Sequence, residues 1–127
     1  MKRLRWLPLL LVLFVACITG DDDVVSIDGG AAGTTVTVGE GHTLRIELDG
    51  NPTTGYDWEV SAVDEGVLRF IDRDFDPDSD AVGSGGKVTL EFETVSTGST
   101  LLELIYRPPW EPPDDSHQRF SVNIIVE

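Results

Sequence analysis

The residues of this chain that could carry out catalysis do not occur in a spacing that favours an enzyme. The two histidines, His42 and His117, lie in separate turn-like regions with no cysteine or serine motif nearby, so we expect surface residues and not bases or ligands. Cys17 is the only cysteine, which excludes an intrachain disulfide and a cysteine-based metal cluster. The acidic stretch Asp72–Asp80 could bind calcium, but without a recognised ligand spacing it favours a solvated loop. We predict no catalytic residue, no metal and no cofactor.

Residues suited to binding are better represented, above all in one stiff stretch between two strand-like segments, Asn51-Pro52-Thr53-Thr54-Gly55-Tyr56. Pro52 fixes its own φ and biases Asn51 toward extended geometry, and Gly55 permits a positive φ. Thr53 and Thr54 are β-branched, which restricts their χ1 angles. A loop of this kind loses little entropy on docking. Asn, Pro and Gly also suit an ordinary turn, so these residues alone leave a binding loop and a plain connection open.

Two further stretches have the composition of binding loops: Gly83-Ser84-Gly85-Gly86 and Pro108-Pro109-Trp110. Singly, each is weak evidence. A Gly-Ser run is commonly a flexible link, and Pro-Pro-Trp could be a polyproline segment that another domain recognises. Only their joint order and spacing makes them informative.

Short strands with period-two patterning must position these loops. Leu44, Ile46 and Leu48, for example, alternate with charged residues, as in a strand with one buried face. The pattern predicts strands over residues 24–27, 34–38, 44–48, 56–60, 67–70, 88–93, 101–106 and 119–126. Residues 72–80 are predicted to be a loop, because they contain Pro77 and Ser79. The predicted fold class is all-β, an immunoglobulin-like β-sandwich of about seven or eight strands.

In such a sandwich, connections alternate between the two ends, so loops separated by an even number of strands emerge together. Counting strands places the 51–56, 83–86 and 108–110 loops at one end. The sequence therefore predicts a composite binding surface made of three loops.

In this order and spacing, the three stretches resemble the signature loops of the chagasin-like inhibitors of papain-type cysteine peptidases. The resemblance runs from about Thr34 to Val126. It implies that Asn51–Tyr56 enters the active-site cleft of a papain-like cysteine peptidase, with Thr54 nearest the catalytic Cys and His. It implies that Gly83–Gly86 lets the backbone lie close to the enzyme, where a Cβ would obstruct. It assigns Trp110 to an aromatic contact on the opposite side.

One position departs from the family pattern, which is Arg-Pro-Trp. Alignment on Tyr106 and Trp110 puts Pro108 where the arginine belongs and leaves Arg107 one residue early. Adjacent strand residues point to opposite faces, so Arg107 is not expected to replace the missing charge. Pro108 itself is expected at the rim of the interface.

The first residues predict export. Met1–Arg5 is basic, and the apolar run Trp6–Ala16 is too short to span a bilayer comfortably, so we interpret residues 1–16 as a signal peptide of the lipoprotein type. Ala16-Cys17 resembles the end of a bacterial lipobox, in which the cysteine carries the lipid, although an ordinary cleavage site near a cysteine fits as well. Residues 17–23 would then be an acidic tether, and 24–127 an inhibitor domain held at the outer side of the cell membrane.

The strongly negative charge of the chain limits the classes of molecule that it can bind. The formal net charge of the chain is -14, and removing Lys2, Arg3 and Arg5 with the signal peptide would take it to -17. Nucleic acid and anionic lipid surfaces would be repelled by the folded domain. We expect a monomer that binds a peptidase. The alternative from a different class is a non-inhibitory envelope lipoprotein or adhesion module that uses the same sandwich for another partner.

Overall fold

Eight β-strands make up more than half of the part of the chain that the computed structural model describes, residues 23–127. The predicted signal peptide, Cys17 and residues 17–22 of the predicted tether lie outside the described residues. The strands are β1 (Val24–Asp28), β2 (Thr35–Val38), β3 (Thr43–Gly50), β4 (Asp57–Ala62), β5 (Leu68–Pro77), β6 (Gly86–Thr94), β7 (Gly98–Arg107) and β8 (Gln118–Val126). Short 3-10 turns occur at Gly29–Ala31 and Pro52–Thr54. The all-β prediction is confirmed.

The strands form two four-stranded sheets, with the orders β1-β3-β6-β5 and β2-β8-β7-β4. β1 pairs parallel with β3 and β2 pairs parallel with β8, whereas all other pairs are antiparallel. The period-two residues of both sheets meet in one core, which includes Leu44, Ile46, Leu48, Val88, Leu90, Phe92, Leu102, Leu104, Phe120 and Val122. Each such side chain contributes about 1.5–3 kcal/mol when fully buried, so apolar burial stabilises this sandwich without a disulfide.

The acidic stretch predicted as a loop is mostly strand. β5 runs through Pro77 and pairs with β6 along its whole length, with a bulge between Phe70 and Asp72. Beyond the bulge, Arg73 and Phe75 are half-buried, while the aspartates that alternate with them, at residues 72, 74 and 76, are exposed. The loop prediction was therefore wrong for residues 72–77, because β5 is an edge strand whose outward positions beyond the bulge, residues 72, 74 and 76, are all acidic. The chain leaves the sheet only at residues 78–85.

Strand registers put the three predicted loops at one end of the sandwich. Gly50 pairs with Gly86, which also pairs with Pro77, so the end of β3, the end of β5 and the start of β6 lie side by side. In the other sheet, Asp57 pairs with Arg107. The connections β3–β4, β5–β6 and β7–β8 therefore emerge side by side.

Among residues 23–127, no helix has the length and apolar character needed to cross a membrane.

Candidate functional site

The central loop is a single 3-10 turn, Pro52–Thr54, capped at both ends. The Asn51 side chain accepts hydrogen bonds from the Thr53 backbone N–H (3.2 Å) and hydroxyl (2.5 Å). The Asn51 carbonyl accepts from the Thr54 N–H (3.1 Å) and from the Thr54 hydroxyl (2.8 Å). Gly55 closes the turn with φ +91°, a left-handed conformation that glycine permits. The loop is thus ordered by its own hydrogen bonds, and Thr53 and Thr54 are exposed at its tip.

A cluster of tilted aromatic rings packs beside this turn. The Asn51 backbone N–H donates to the Tyr106 hydroxyl (2.8 Å). The Tyr106 ring packs against Tyr56 and against Trp58, with centroid distances of 5.4 and 5.0 Å, in the range of favourable aromatic pairs. Tyr56 is half-buried, so it belongs to the base of the loop and not to its tip. Trp58 is fixed in turn by a hydrogen bond from its Nε1–H to the Asp49 carbonyl (2.9 Å).

The β5–β6 loop lies directly beside the central turn. Asn51 Nδ2 donates to the Gly83 carbonyl (3.0 Å), which links the two loops. Gly83 has φ +82°, and Ser84 donates its hydroxyl to the Gly85 carbonyl (2.9 Å). Val82, immediately before Gly83, is fully exposed.

Packing inside the sandwich favours glycine at two positions at the end of this loop, Gly85 and Gly86. Gly86 is buried as the first residue of β6, and a Cβ there would lie 2.1 Å from the Asp76 carbonyl oxygen. At Gly85 a Cβ would approach the Gly50 carbonyl to 3.3 Å. Close backbone packing within the sandwich therefore explains Gly86 fully and Gly85 in part. Gly83 has open space around it, so only its positive φ favours glycine.

The β7–β8 loop completes the surface and touches the central turn. Trp110 is 67% exposed. Its ring nevertheless packs so close to Gly55 that a Cβ at residue 55 would lie 2.3 Å from Trp110 Cη2. Pro109 is exposed, but Pro108 is buried, so the expected rim position of Pro108 was wrong. It directly follows β7, which ends at Arg107.

Arg107 and His117 flank this loop and are both engaged inside the chain. The Arg107 side chain is 17% exposed, and its Nη2 pairs with Glu59 Oε1 at 2.5 Å. This position agrees with the expectation that Arg107 does not offer its charge to a partner. His117 was expected at the surface, but its side chain is only 4% exposed. That prediction was wrong, because Glu111 and Asp114 satisfy both ring nitrogens within the loop.

The remaining sequence candidates form no reactive centre in the described part of the chain. His42 is half-buried in the turn after β2, 3.9 Å from Asp23. In residues 23–127, no three His, Cys, Asp or Glu side chains converge in a way that could hold a metal ion.

Two charged groups near the three loops have shifted pKa values. A hydrogen bond and ion pair with Asp49 raise the pKa of Lys87, at the start of β6. Hydrogen bonds from the Ser116 hydroxyl and N–H lower the pKa of Asp114, in the β7–β8 loop. Both groups are solvated, so these shifts describe local pairing and not a catalytic site.

Sequence reasoning found the three loops but not what holds them. Tyr106 served only as an alignment marker, although its hydroxyl positions Asn51. One signal was available: Tyr56, Trp58 and Tyr106 all lie on inward-facing positions beside the loops, where aromatic residues pack together.

The sequence and the fold of this chain are similar to those of known proteins. Residues 37–124 match the Chagasin family peptidase inhibitor I42. The chain is similar to Amoebiasin-1 of Entamoeba histolytica, at 34% identity over 95 residues that cover 74% of this chain and 91% of that protein. It is similar to Chagasin of Trypanosoma cruzi, at 32% identity over 95 residues, 71% of this chain and 86% of that protein.

A solved structure, that of the cysteine protease inhibitor EhICP2 from Entamoeba histolytica, shares the fold. Its TM-score is 0.69 at 16% identity, and the match covers 82% of this chain and 95% of that one. None of these matches favours an adhesion module.

Proposed function

The chain belongs to the chagasin family of peptidase inhibitors, and we propose that its three loops together occlude the active-site cleft of a papain-like cysteine peptidase, reversibly and without being cut. The observation that carries the proposal is the contact between the loops: Asn51 bonds to Gly83, and Trp110 packs on Gly55. The members of this family are peptidase inhibitors, and we propose no enzymatic activity for this chain.

In this proposal the central turn fills the cleft, and the other two loops contact the walls on either side. Thr53 and Thr54 form the exposed tip, and Trp110 supplies a large aromatic surface next to it. Aromatic residues of this kind often contribute most of the binding energy of an interface. Because the turn is ordered before it docks, association loses little conformational entropy, and an interface of roughly 800 Å² per partner is sufficient for tight binding.

The internal hydrogen bonds of the turn explain why the peptidase would not cleave it. Cleavage requires a carbonyl carbon held near the thiolate with its oxygen in the oxyanion site. Here the Asn51 carbonyl accepts from Thr54, and the Pro52 carbonyl accepts from the Gly55 N–H at 2.9 Å. Stretching the turn into a cleavable geometry would break these bonds and move Gly55 away from Trp110.

Titration of papain with the purified protein tests the proposal. We expect stoichiometric, reversible loss of activity and an uncut inhibitor in mass spectra of the recovered complex. The variant Trp110→Ala should inhibit more weakly by about 2 kcal/mol or more, mainly through faster dissociation. Full papain activity in a large molar excess of the folded protein would contradict the proposal.

We propose in addition that a lipid on Cys17 anchors the chain to the outer side of a cell membrane as a monomer. The support is the basic Met1–Arg5 segment, the apolar run Trp6–Ala16 and the Ala16-Cys17 junction. Cys17→Ser should leave the protein unlipidated and move it from the membrane fraction to the soluble fraction. If processing and fractionation of Cys17→Ser match those of the unchanged protein, the lipid anchor has to be abandoned.

A further inference from the structure

The β7–β8 loop carries the most exposed aromatic residue of the three-loop surface, but Trp110 has little to hold it. Its ring is 67% exposed and packs on Gly55, a residue without a side chain. Pro109, before it, is exposed as well. The position of the indole must therefore be set by the backbone on either side of it, from Pro108 to Glu111.

Arg107 binds that backbone directly. Its Nη1 donates to the Glu111 carbonyl at 2.5 Å and to the Pro108 carbonyl at 3.3 Å, on the two sides of Trp110. Its Nη2 is anchored by the ion pair with Glu59 on β4. A planar guanidinium can reach three oxygens at once, whereas a lysine ammonium acts as a single point charge. The loop is thus tied to the neighbouring strand through one side chain.

His117 binds the same segment through Glu111 and Asp114. Its Nδ1 accepts a hydrogen bond from the Asp114 N–H at 3.1 Å, which leaves its Nε2–H to donate to Glu111 Oε1 at 3.0 Å. Glu111 is therefore fixed twice: Arg107 binds its carbonyl and His117 binds its carboxylate. Trp110 directly precedes this doubly held residue.

We propose that Arg107 is a positioning residue of the inhibitory surface: with His117 it clamps Glu111 and so keeps Trp110 in the orientation that the peptidase meets. The inference rests on the proposed function. It differs from a direct contact with the enzyme, because the guanidinium is largely buried and its Nη groups are occupied inside the chain. When the binding-competent conformation of a loop is only partly populated, the apparent affinity falls by the same fraction.

A double-mutant cycle tests this assignment. Arg107→Gln alone should raise the inhibition constant for papain about tenfold, as expected when the competent fraction of the loop falls to about one tenth. In a Trp110→Ala background the same change should have almost no effect, because there is no indole left to position. As a matched control, Arg45→Gln removes another Arg–Glu ion pair, with Glu91 at 2.8 Å on the outer face of the other sheet, and should leave inhibition unchanged.

The position of Trp110 can also be measured without a peptidase. The indole N–H resonance of Trp110 in NMR spectra, assigned by its loss in Trp110→Phe, should shift or broaden in Arg107→Gln while that of Trp58 stays in place. If the unchanged protein does not inhibit papain, the proposed function fails, but this measurement still decides whether the clamp exists. Arg107→Lys should restore the resonance only in part, because a lysine cannot bind all three oxygens.

Two results would overturn the assignment. One is an equal, salt-dependent loss from Arg107→Gln in both backgrounds, which would mean that the arginine touches the peptidase. The other is an unmoved Trp110 resonance together with unchanged inhibition. Should Arg107→Gln fail to fold, Glu59→Gln removes only the anchor of the guanidinium at a half-exposed site. It should weaken inhibition about two- to threefold, again only when Trp110 is present.

Discussion

A methyl group at residue 55 is the smallest change that should separate the central turn from the tryptophan beside it. In Gly55→Ala the new Cβ would lie 2.3 Å from Trp110 Cη2 and 3.0 Å from Cζ3. Carbon atoms in van der Waals contact are about 3.5–4.0 Å apart, so the indole has to move by roughly 1 Å or more. Because Trp110 is mostly exposed, it can swing outward, and the turn and the β7–β8 loop would then no longer touch.

Two separate effects follow, and their sizes differ. Residue 55 has φ +91°, a left-handed conformation that costs an L-residue about 1–2 kcal/mol, so the free energy of unfolding should fall by about that amount. Displacing Trp110 should in addition weaken binding by up to the cost of losing the side chain, about 2 kcal/mol. A loss of about 2 kcal/mol corresponds to an increase of about 30-fold in the inhibition constant.

Chemical denaturation and stopped-flow inhibition of papain measure the two effects separately. Gly41→Ala is the matched control, because Gly41 lies in the β2–β3 turn with φ +87° and has no atom within 4 Å of the place that an added methyl group would occupy. It should lose the same stability and inhibit normally. In a Trp110→Ala background, Gly55→Ala should add almost nothing to the loss of inhibition. Unchanged inhibition by Gly55→Ala alone would refute the packing of Trp110 on Gly55.

Three further predictions concern the other loops. Pro108→Arg should lower the free energy of unfolding by more than about 1 kcal/mol and weaken inhibition, because it forces a charge into a buried position; denaturation curves matching the parent would contradict this. Gly86→Ala should cost about 1–3 kcal/mol in the same assay, since its Cβ meets the Asp76 carbonyl, and an unchanged midpoint would refute that contact. Ser116→Ala should raise the pKa of Asp114 toward 3.8, seen by NMR titration of the carboxyl carbon. Because its pKa is lowered in the folded state, the Asp114 carboxylate stabilises the fold above pH 3.8, and this stabilisation is lost as the pH falls through the folded-state pKa. In Ser116→Ala the stabilisation from Asp114 should be smaller.

The sandwich and the order of its loops could be predicted because period-two patterning depends only on which residues face a core. Leu44, Ile46 and Leu48 were assigned to one buried face, and all three are buried in β3. The placement of the loops followed from counting strands, which is insensitive to errors of one or two residues at strand ends. Gly55 was also predictable, since a turn that reverses there needs a positive φ.

The second half of β5 was missed because its burial is weak. An edge strand exposes one side of its residues to water and is paired on one edge only. Its inward positions beyond the bulge are Arg73 and Phe75, and the charge of Arg73 obscures the alternation. The charge of this half-buried arginine is paired, because Arg73 Nε lies 2.8 Å from Asp57 Oδ2. No hydrophobicity pattern contains that ion pair, which depends on two strands in different sheets.

At the end of β7, the structure differs most clearly from what the motif alignment predicts. The alignment places Pro108 at the position of the family arginine, at the rim of the interface, and leaves Arg107 one residue early. On that basis the chain lacks the charged contact that the arginine would make with the peptidase. In the fold, residue 108 is buried and Arg107 sends its guanidinium to Glu59 and Glu111. The charge of Arg107 is therefore used inside the protein, where it binds the backbone of the β7–β8 loop, and is not presented on the surface of that loop. An arginine could raise the affinity for the peptidase in two ways. It could contact the enzyme directly, or it could hold Trp110 in the binding orientation before the enzyme arrives. The Arg107 cycle measures that difference directly.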